Sequence, residues 1–267
     1  YRPGSELSRF NQSTEVNVPF PVSAATAKVV SKAIEINKLT DGSLDVTVGP
    51  LVNLWGFGPE GRVTKAPTDE ELAKRRAWVG IDKLSVQDNN LIKTIPELYV
   101  DLSSIAKGYG VDVVAEYLES IGIKDYMVDI GGEVRTKGKN GKDTPWRIAI
   151  EKPATDGVSQ TAQEIIEPGD LSIATSGDYR NYFEQNGVHF SHTIDPKTGK
   201  PISHNLVSIT VLADDCMSAD GLSTGFNVMG PDAGLALAEK MNIPVFMIVK
   251  TDKGFEERYT ISRSLSR

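Results

Sequence analysis

Long apolar runs, cysteine and histidine are all scarce in this chain of 267 residues, and each shortage excludes a class of protein. No apolar run approaches the roughly 20 residues that a membrane-spanning helix needs. Cys216 is the single cysteine, which excludes an internal disulfide and any cysteine-based zinc cluster. None of the 3 histidines follows Ser223 of "GLSTG", which excludes the order of catalytic residues found in α/β-hydrolases.

Positive charge is also in short supply, because 29 lysines and arginines face 36 acidic residues and the formal net charge is −7. A nucleic-acid-binding protein needs a basic surface to neutralise phosphates, so we expect no nucleic-acid partner. A phosphate-containing ligand would need a metal ion or local hydrogen-bond donors. Hydrophobic residues make up 39% of the chain, which is enough for the core of one large domain or two small ones.

Hydrophobic periodicity and capping residues predict a mixture of helices and strands. Helices are expected at 23–40, at 103–120, at 231–241, around Asp220, and after a capping box formed by Thr68 and Glu71. A hairpin is expected in "KLSVQDNNLIKTI", and further strands in "SLDVTVGP" and near 126–135, 146–151, 171–175, 206–213, 244–250 and 256–261. Because no regular βαβ alternation is present, we predict an α+β fold with mixed, largely antiparallel sheets flanked by helices. The chain shows no obvious linker, and we predict a single domain over 1–267.

Asp220 and Thr224 lie four residues apart in the predicted helix "DDCMSADGLSTGFNVMG". Side chains at this spacing share a helix face, so the carboxylate and the hydroxyl point the same way. Two such oxygens could begin a Mg²⁺ or Ca²⁺ site that backbone and phosphate oxygens complete. The alternative is an ordinary helix start, with Ser218 as the N-cap and small polar residues that face water.

Four other stretches are richer in polar residues and glycine than a purely structural segment requires. "TDGSLDVTVGPLVNLWGFGP" places two carboxylates before an apolar run, and "DLSSIAKGYGVD" places serines and a lysine at a helix start, where an anion is favoured. "VDIGGEVRTKG" ends a strand in two glycines that let the backbone approach a ligand, and "SHTIDPKTGKP" sets a histidine and an aspartate around a turn. For each stretch taken alone, cap or turn chemistry is the simpler explanation.

These stretches, together with "SELSRFN" and "MSADGLSTGFNVMG", resemble in order the signature blocks of the FAD:protein FMN transferases, the ApbE family. The six blocks cover most of the chain. The resemblance implies an ApbE-like fold and a Mg²⁺-dependent cleavage of the FAD pyrophosphate. In that reaction FMN moves onto a threonine of a target protein and AMP is released.

The resemblance also implies site residues. In this family an aspartate and a threonine that match Asp220 and Thr224 hold the metal ion, together with a backbone carbonyl that matches Ala106. Contacts with FAD are implied for Tyr1, Asp41, Gly42, Ser43, Leu44, Asp45, Ser103, Lys107 and Ile194. Tyr1 matches an aromatic position that covers the flavin ring, where stacking is physically reasonable.

His192 is our candidate for the base that accepts the proton of the incoming threonine hydroxyl, with Asp195 as an orienting partner. Histidine is the side chain that most often performs this task near neutral pH. The alternative for His192 is a structural role, as a residue at a strand end that bonds to the following turn.

Two alternatives for the whole chain stay open: an FAD pyrophosphatase, in which water replaces the threonine, and a flavin-binding protein without turnover.

By resemblance, the acceptors would be periplasm-facing subunits of Na⁺-translocating quinone reductases or Rnf-type complexes. We further expect the natural precursor to carry a lipoprotein signal, so that a lipid anchor holds the protein on the periplasmic side of the inner membrane.

Overall fold

The protein is described from a computed structural model, which covers residues 2–58, 65–154, 161–177, 184–185, 188–189 and 192–260. The chain divides into two compact units, the first formed by 1–104 and 190–203 and the second by 105–189 and 204–267. Each unit is therefore assembled from separate stretches of sequence. The expectation of a single domain stays a prediction.

The elements of the described residues are numbered along the chain. The helices are α1 (Glu6–Gln12), α2 (Ala24–Leu39), α3 (Gly49–Leu54), α4 (Asp69–Arg76), α5 (Ala106–Ser120), α6 (Cys216–Met229) and α7 (Pro231–Lys240), with a 3₁₀ turn at Ile81–Lys83. The strands are β1 (Phe20–Pro21), β2 (Leu84–Gln87), β3 (Asn90–Lys93), β4 (Tyr126–Ile130), β5 (Glu133–Lys137), β6 (Ile148–Pro153), β7 (Thr161–Ile166), β8 (Ser172–Gly177), β9 (Glu184–Gln185), β10 (Val188–His189), β11 (Ile194–Asp195), β12 (Lys200–Pro201), β13 (Leu206–Ala213), β14 (Val245–Thr251) and β15 (Gly254–Tyr259).

In the first unit, local sequence signals place the helix starts and the hairpin. The side chain of Ser23 caps α2 by accepting a hydrogen bond from the backbone N–H of Thr26. The predicted capping box of Thr68 and Glu71 is present at the start of α4. The predicted hairpin is also confirmed, since β2 and β3 pair in an antiparallel sheet whose order is β1-β3-β2.

The segment "SLDVTVGP" is not a strand, so this prediction was wrong. Asp45 accepts hydrogen bonds through Oδ1 from the backbone N–H of Thr47 at 2.8 Å and from its hydroxyl at 2.5 Å. These local bonds hold the chain in a turn, and α3 begins at Gly49 immediately afterwards. An aspartate that bonds to its own neighbourhood thus overrides the alternating pattern.

A six-stranded antiparallel sheet with the order β15-β14-β13-β8-β5-β4 forms the centre of the second unit. Alternate residues of β8 face opposite sides of this sheet. Ile173 belongs to an apolar cluster that includes Ile150 and Ile166 of the β6–β7 hairpin, whereas Ser176 hydrogen-bonds to α6. The hairpin therefore covers one face, and α6, which packs against α5, covers the other.

These elements confirm the predicted α+β fold with largely antiparallel sheets. In the described part of the chain, none of the helices combines the length and the apolar character that a membrane crossing requires.

Candidate active site

Helix α6 carries Asp220 and Thr224 on the face that packs against α5 and the central sheet. The N-cap of this helix is Asp215, which accepts a hydrogen bond from the N–H of Ser218 at 2.8 Å. The alternative that made Ser218 the N-cap was wrong, because the N-cap is Asp215, three residues before Ser218. The helix is buried along most of its length, so polar side chains here need partners inside the protein.

Asp220 is a buried carboxylate, 5% exposed, at the contact between α5 and α6. Its Oδ2 accepts a hydrogen bond from the backbone N–H of Gly108 at 2.9 Å. The pKa of Asp220 is raised to about 7, chiefly by burial; the neighbouring carboxylate of Glu133 also raises it, whereas the Gly108 hydrogen bond and the charge of Lys107 lower it. A cation bound at this carboxylate would offset the unfavourable burial of its negative charge.

Gly108 permits this contact because it has no side chain. A Cβ at this position would lie 2.3 Å from the carbonyl oxygen of Cys216 and 2.8 Å from the Cβ of Asp220. The backbones of α5 and α6 therefore approach closely over one turn. The free N–H of the glycine reaches the carboxylate as a result.

Three hydroxyl groups form a connected cluster that bonds to the backbone carbonyl of Asp220. The Oγ of Ser176 is 2.8 Å from that of Ser223 and 3.3 Å from the Oγ1 of Thr224. Ser223 also donates to the backbone carbonyl of Asp220 at 2.8 Å. Sequence reasoning missed Ser176, because it comes from β8 and no local pattern links that strand to α6.

Lys107 and Glu133 form an ion pair near the start of α5. Their Nζ and Oε2 atoms are 2.8 Å apart, with the lysine half exposed and the carboxylate buried. The hydrogen bond to Glu133 raises the pKa of Lys107, so the amine is a positive charge at neutral pH. Its Nζ also lies 3.5 Å from the carbonyl of Gly131, in a turn where Gly131 and Gly132 adopt positive φ. The stretches "DLSSIAKGYGVD" and "VDIGGEVRTKG", which the sequence analysis treated separately, therefore meet at Lys107. Glu133 joins them, although the sequence analysis did not predict a role for this residue.

The donor set suits a hard cation. Among the described residues, no cluster of three or more histidine, cysteine, aspartate and glutamate side chains could hold a metal ion. A cation at Asp220 would therefore rely on one carboxylate together with hydroxyl and carbonyl oxygens, which are ligands that Mg²⁺ accepts. Ala106 begins α5 two residues before Gly108, and the N-cap residue Ile105 makes no side-chain hydrogen bond to the helix.

The first unit brings two further predicted stretches together. Asp41 and Gly42 both adopt positive φ in the turn after α2, and Lys197 Nζ lies 3.0 Å from Asp41 Oδ2. A cavity of about 300 Å³ is lined by Gly42 and Asp45, by Lys197, and by residues around Arg76 and Gly80. Burial raises the pKa of Asp45. Backbone and charged groups of this turn are thus available to a ligand.

Three predicted flavin contacts lie in the protein core. Ser43, Leu44 and Ile194 are 5%, 2% and 3% exposed, and Ile194 packs with Leu51 and Leu72. A contact of these residues with a ligand would come from their backbone. Ser103 is exposed, and its N–H donates to the Oδ1 of Asp101 at 2.8 Å. Tyr1 lies outside the described residues.

His192 is exposed and stacks on Phe57, with ring centroids 4.8 Å apart and planes at 25°. The prediction that Asp195 orients this histidine was wrong. Asp195 Oδ1 accepts instead from the backbone N–H of Lys197 at 2.9 Å, and the described residues show no hydrogen bond between Asp195 and His192. The acid folds back on its own turn because that bond is local.

A buried carboxylate at a helix start, with a lysine nearby and a hydroxyl cluster on the backbone of the same residue, defines an α+β protein with a candidate site for a cation and a phosphate. The chain belongs to the ApbE family, whose sequence profile matches residues 1–247. It is 65% identical to the FAD:protein FMN transferase of Vibrio cholerae serotype O1 over 257 residues. This alignment covers 96% of this chain and 76% of the Vibrio cholerae protein.

Two solved structures are similar over the whole chain. The flavin transferase ApbE from Vibrio cholerae aligns with a TM-score of 0.91 and 61% identity, and covers 100% of this chain and 84% of its own. The Pseudomonas stutzeri flavinyl transferase ApbE, in its apo form, aligns with a TM-score of 0.92 and 40% identity. This alignment covers 100% of this chain and 82% of the Pseudomonas stutzeri chain. The predicted family membership is thereby confirmed.

Proposed function

We propose that this chain is an FAD:protein FMN transferase, which moves FMN from FAD onto a target protein and releases AMP. The name of the 65% identical Vibrio cholerae relative supports the reaction. The observation in the structure that carries the proposal is the buried carboxylate of Asp220, which accepts a hydrogen bond from the N–H of Gly108 at 2.9 Å and is influenced by the charge of Lys107. The backbone carbonyl of the same residue accepts from a cluster of hydroxyl groups.

We infer that Asp220, Thr224 and the carbonyl of Ala106 hold Mg²⁺, because one buried carboxylate with neutral oxygens suits this ion. When bound, Mg²⁺ would neutralise the charge of the FAD pyrophosphate. Lys107 adds a fixed positive charge, since its ion pair with Glu133 keeps the amine protonated. Ile105 makes no side-chain cap at the start of α5, so this helix start offers backbone N–H groups besides the one that Gly108 donates to Asp220, and such groups favour phosphate oxygens.

In the transfer, the acceptor threonine Oγ attacks the phosphorus on the FMN side of the pyrophosphate. The bond from that phosphorus to the bridging oxygen breaks, and AMP leaves with this oxygen. We propose that His192 accepts the hydroxyl proton, so that the nucleophile is activated as it attacks. The protein then contributes mainly positioning, charge and one proton transfer.

The test is an incubation of the protein with FAD, Mg²⁺ and a candidate acceptor. We expect a mass increase of one FMN on a threonine of the acceptor, with AMP in equal amount, and no increase in the presence of a chelator. The same acceptor with its threonine replaced by valine is the control. Free FMN without modified acceptor would favour the pyrophosphatase instead, and FAD recovered intact would favour a flavin-binding protein without turnover.

We also propose that the natural precursor is lipid-anchored on the periplasmic side of the inner membrane, and that its acceptors are periplasm-facing subunits of Na⁺-translocating quinone reductases or Rnf-type complexes. The acceptor threonine must reach the same site as the pyrophosphate, so an exposed loop is expected. Fractionation of cells that express the natural gene tests the location. Recovery of the mature protein in the cytoplasm would contradict it.

A further inference from the structure

Asp112 is a buried carboxylate of α5, 4% exposed, that plays no part in the proposed reaction. Its Oδ1 accepts a hydrogen bond from the N–H of Cys216, and its Oδ2 accepts one from the N–H of Met217, both at 2.8 Å. These are the first two residues of α6, the helix that carries Asp220 and Thr224. A side chain of one helix thus caps the start of another.

The cap supplies what α6 lacks by itself. The N–H groups of a first helical turn have no partner within the helix, and the N-cap usually satisfies one of them. Here Asp215 accepts from Ser218, and Asp112 accepts from Cys216 and Met217. Because both carboxylate oxygens are engaged, the cap sets the direction of the helix start as well as its distance from α5.

Arg135 of β5 holds this carboxylate in place. Its Nη1 lies 2.9 Å from Asp112 Oδ1, and both side chains are largely buried, at 16% and 6% exposure. A buried carboxylate without such a partner would be costly, so the ion pair compensates for its burial and fixes its orientation. The central sheet is thereby connected to the contact between the two helices.

The Asp112 cap and the Asp220 contact are separated by one helical turn on both helices. Asp112 of α5 binds the start of α6 at Cys216, and four residues along each helix Gly108 of α5 donates to Asp220 of α6. The donor is on α6 in the first contact and on α5 in the second. Together the two contacts fix the register of α6 on α5 over the turn that holds Asp220.

We propose that Asp112 is a positioning residue of the candidate cation site. By fixing the register of α6, it places the Asp220 carboxylate and the Thr224 hydroxyl relative to Ala106 at the start of α5. The inference rests on the proposed function, because it concerns the same site. Groups that orient metal ligands typically contribute 10- to 100-fold to metal affinity, so the expected effect is on Mg²⁺ binding.

The experiment compares Mg²⁺ binding, measured by titration calorimetry without FAD, in the wild type and in Asp112→Asn. The amide keeps the shape of the side chain, but its NH₂ group cannot accept, so one N–H of α6 or Arg135 loses its partner. We expect the Mg²⁺ dissociation constant to rise about 10- to 100-fold. The Mg²⁺ concentration for half-maximal transfer should rise in parallel, while the rate at saturating Mg²⁺ changes far less.

Glu116→Gln is the matched control, because it removes the same charge from an exposed position one turn further along α5. Its Mg²⁺ affinity should equal that of the wild type. Arg135→Met keeps both hydrogen bonds from α6 to Asp112 and removes the ion pair that orients this carboxylate. The Mg²⁺ affinity of Arg135→Met should therefore fall, but by less than the Mg²⁺ affinity of Asp112→Asn. Should Asp112→Asn not fold, Arg135→Met decides, and wild-type affinity in that variant would overturn the inference.

Thermal unfolding with a chelator separates positioning from stability. A lower midpoint in Asp112→Asn with unchanged Mg²⁺ affinity would overturn the inference, since Asp112 would then be purely structural. Absence of Mg²⁺ binding in the wild type would overturn it as well. If the wild type binds Mg²⁺, Asp112→Asn weakens this binding and no acceptor is flavinylated, the inference stands and the proposed transferase function fails.

Discussion

Asp220→Asn is expected to lower the rate of flavin transfer at low Mg²⁺ by more than about 100-fold. Groups that merely orient metal ligands contribute roughly 10- to 100-fold to affinity, and a ligand itself should contribute more. Asp220 is the buried carboxylate of the candidate site, and its Oδ2 lies 2.9 Å from the N–H of Gly108. The amide keeps the size of the side chain but removes the negative charge that a hard cation requires.

The measurement is the initial rate of acceptor flavinylation as a function of Mg²⁺ concentration. Asp214→Asn is the control, because Asp214 is exposed and lies just before the N-cap of α6. Its Mg²⁺ dependence should match that of the wild type. Normal activity of Asp220→Asn at low Mg²⁺ would show that the assignment of the metal site is wrong.

The raised pKa of Asp220 adds a pH dependence to this prediction. The pKa of this carboxyl is raised from 3.8 to about 7, chiefly by burial, so below about pH 7 the metal-free folded protein holds a proton there. A cation must displace that proton, so Mg²⁺ affinity should rise with pH up to about 7, by about tenfold per pH unit, and then level off. Calorimetry in buffers of different ionisation enthalpy should detect proton release below pH 7 in the wild type, and none in Asp220→Asn.

His192→Ala is expected to slow flavin transfer by about 10²- to 10⁴-fold, which is the typical contribution of a positioned base. Binding of FAD should change far less, because His192 is exposed and its ring stacks on Phe57 instead of supporting the core. The measurement pairs single-turnover rates of transfer with FAD affinity from fluorescence titration. The two quantities distinguish proton transfer from ligand binding.

Phe57→Leu is the companion variant, since it removes the stacking partner and leaves the imidazole in place. We expect a smaller loss of rate than in His192→Ala, because the base is present but less well oriented. Equal losses of rate and FAD affinity in His192→Ala, or no loss of rate, would support a structural role for this histidine.

Much of the local structure was predictable from the sequence. The Ser23 cap, the capping box of Thr68 and Glu71, and the β2–β3 hairpin all depend on residues within a few positions of one another. The shared face of Asp220 and Thr224 follows from helical periodicity in the same way. The errors arose where a side chain bonds to its own turn, as with Asp45, Asp195 and Asp215. Hydrophobic alternation does not report such bonds.

The sequence by itself therefore determined the helices, the hairpin, the pairing of Asp220 with Thr224 on one face, and the family blocks. Only the tertiary structure decided what surrounds Asp220. Gly108, which donates a hydrogen bond to Asp220, is 112 residues away from it in the sequence. Ser176 and its partner Ser223 are 47 residues apart, and Asp112 and Cys216, whose N–H it accepts, are 104 residues apart. Partners so distant are chosen by the packing of helices and strands, because a local pattern records which face a residue occupies but not which residue it meets there.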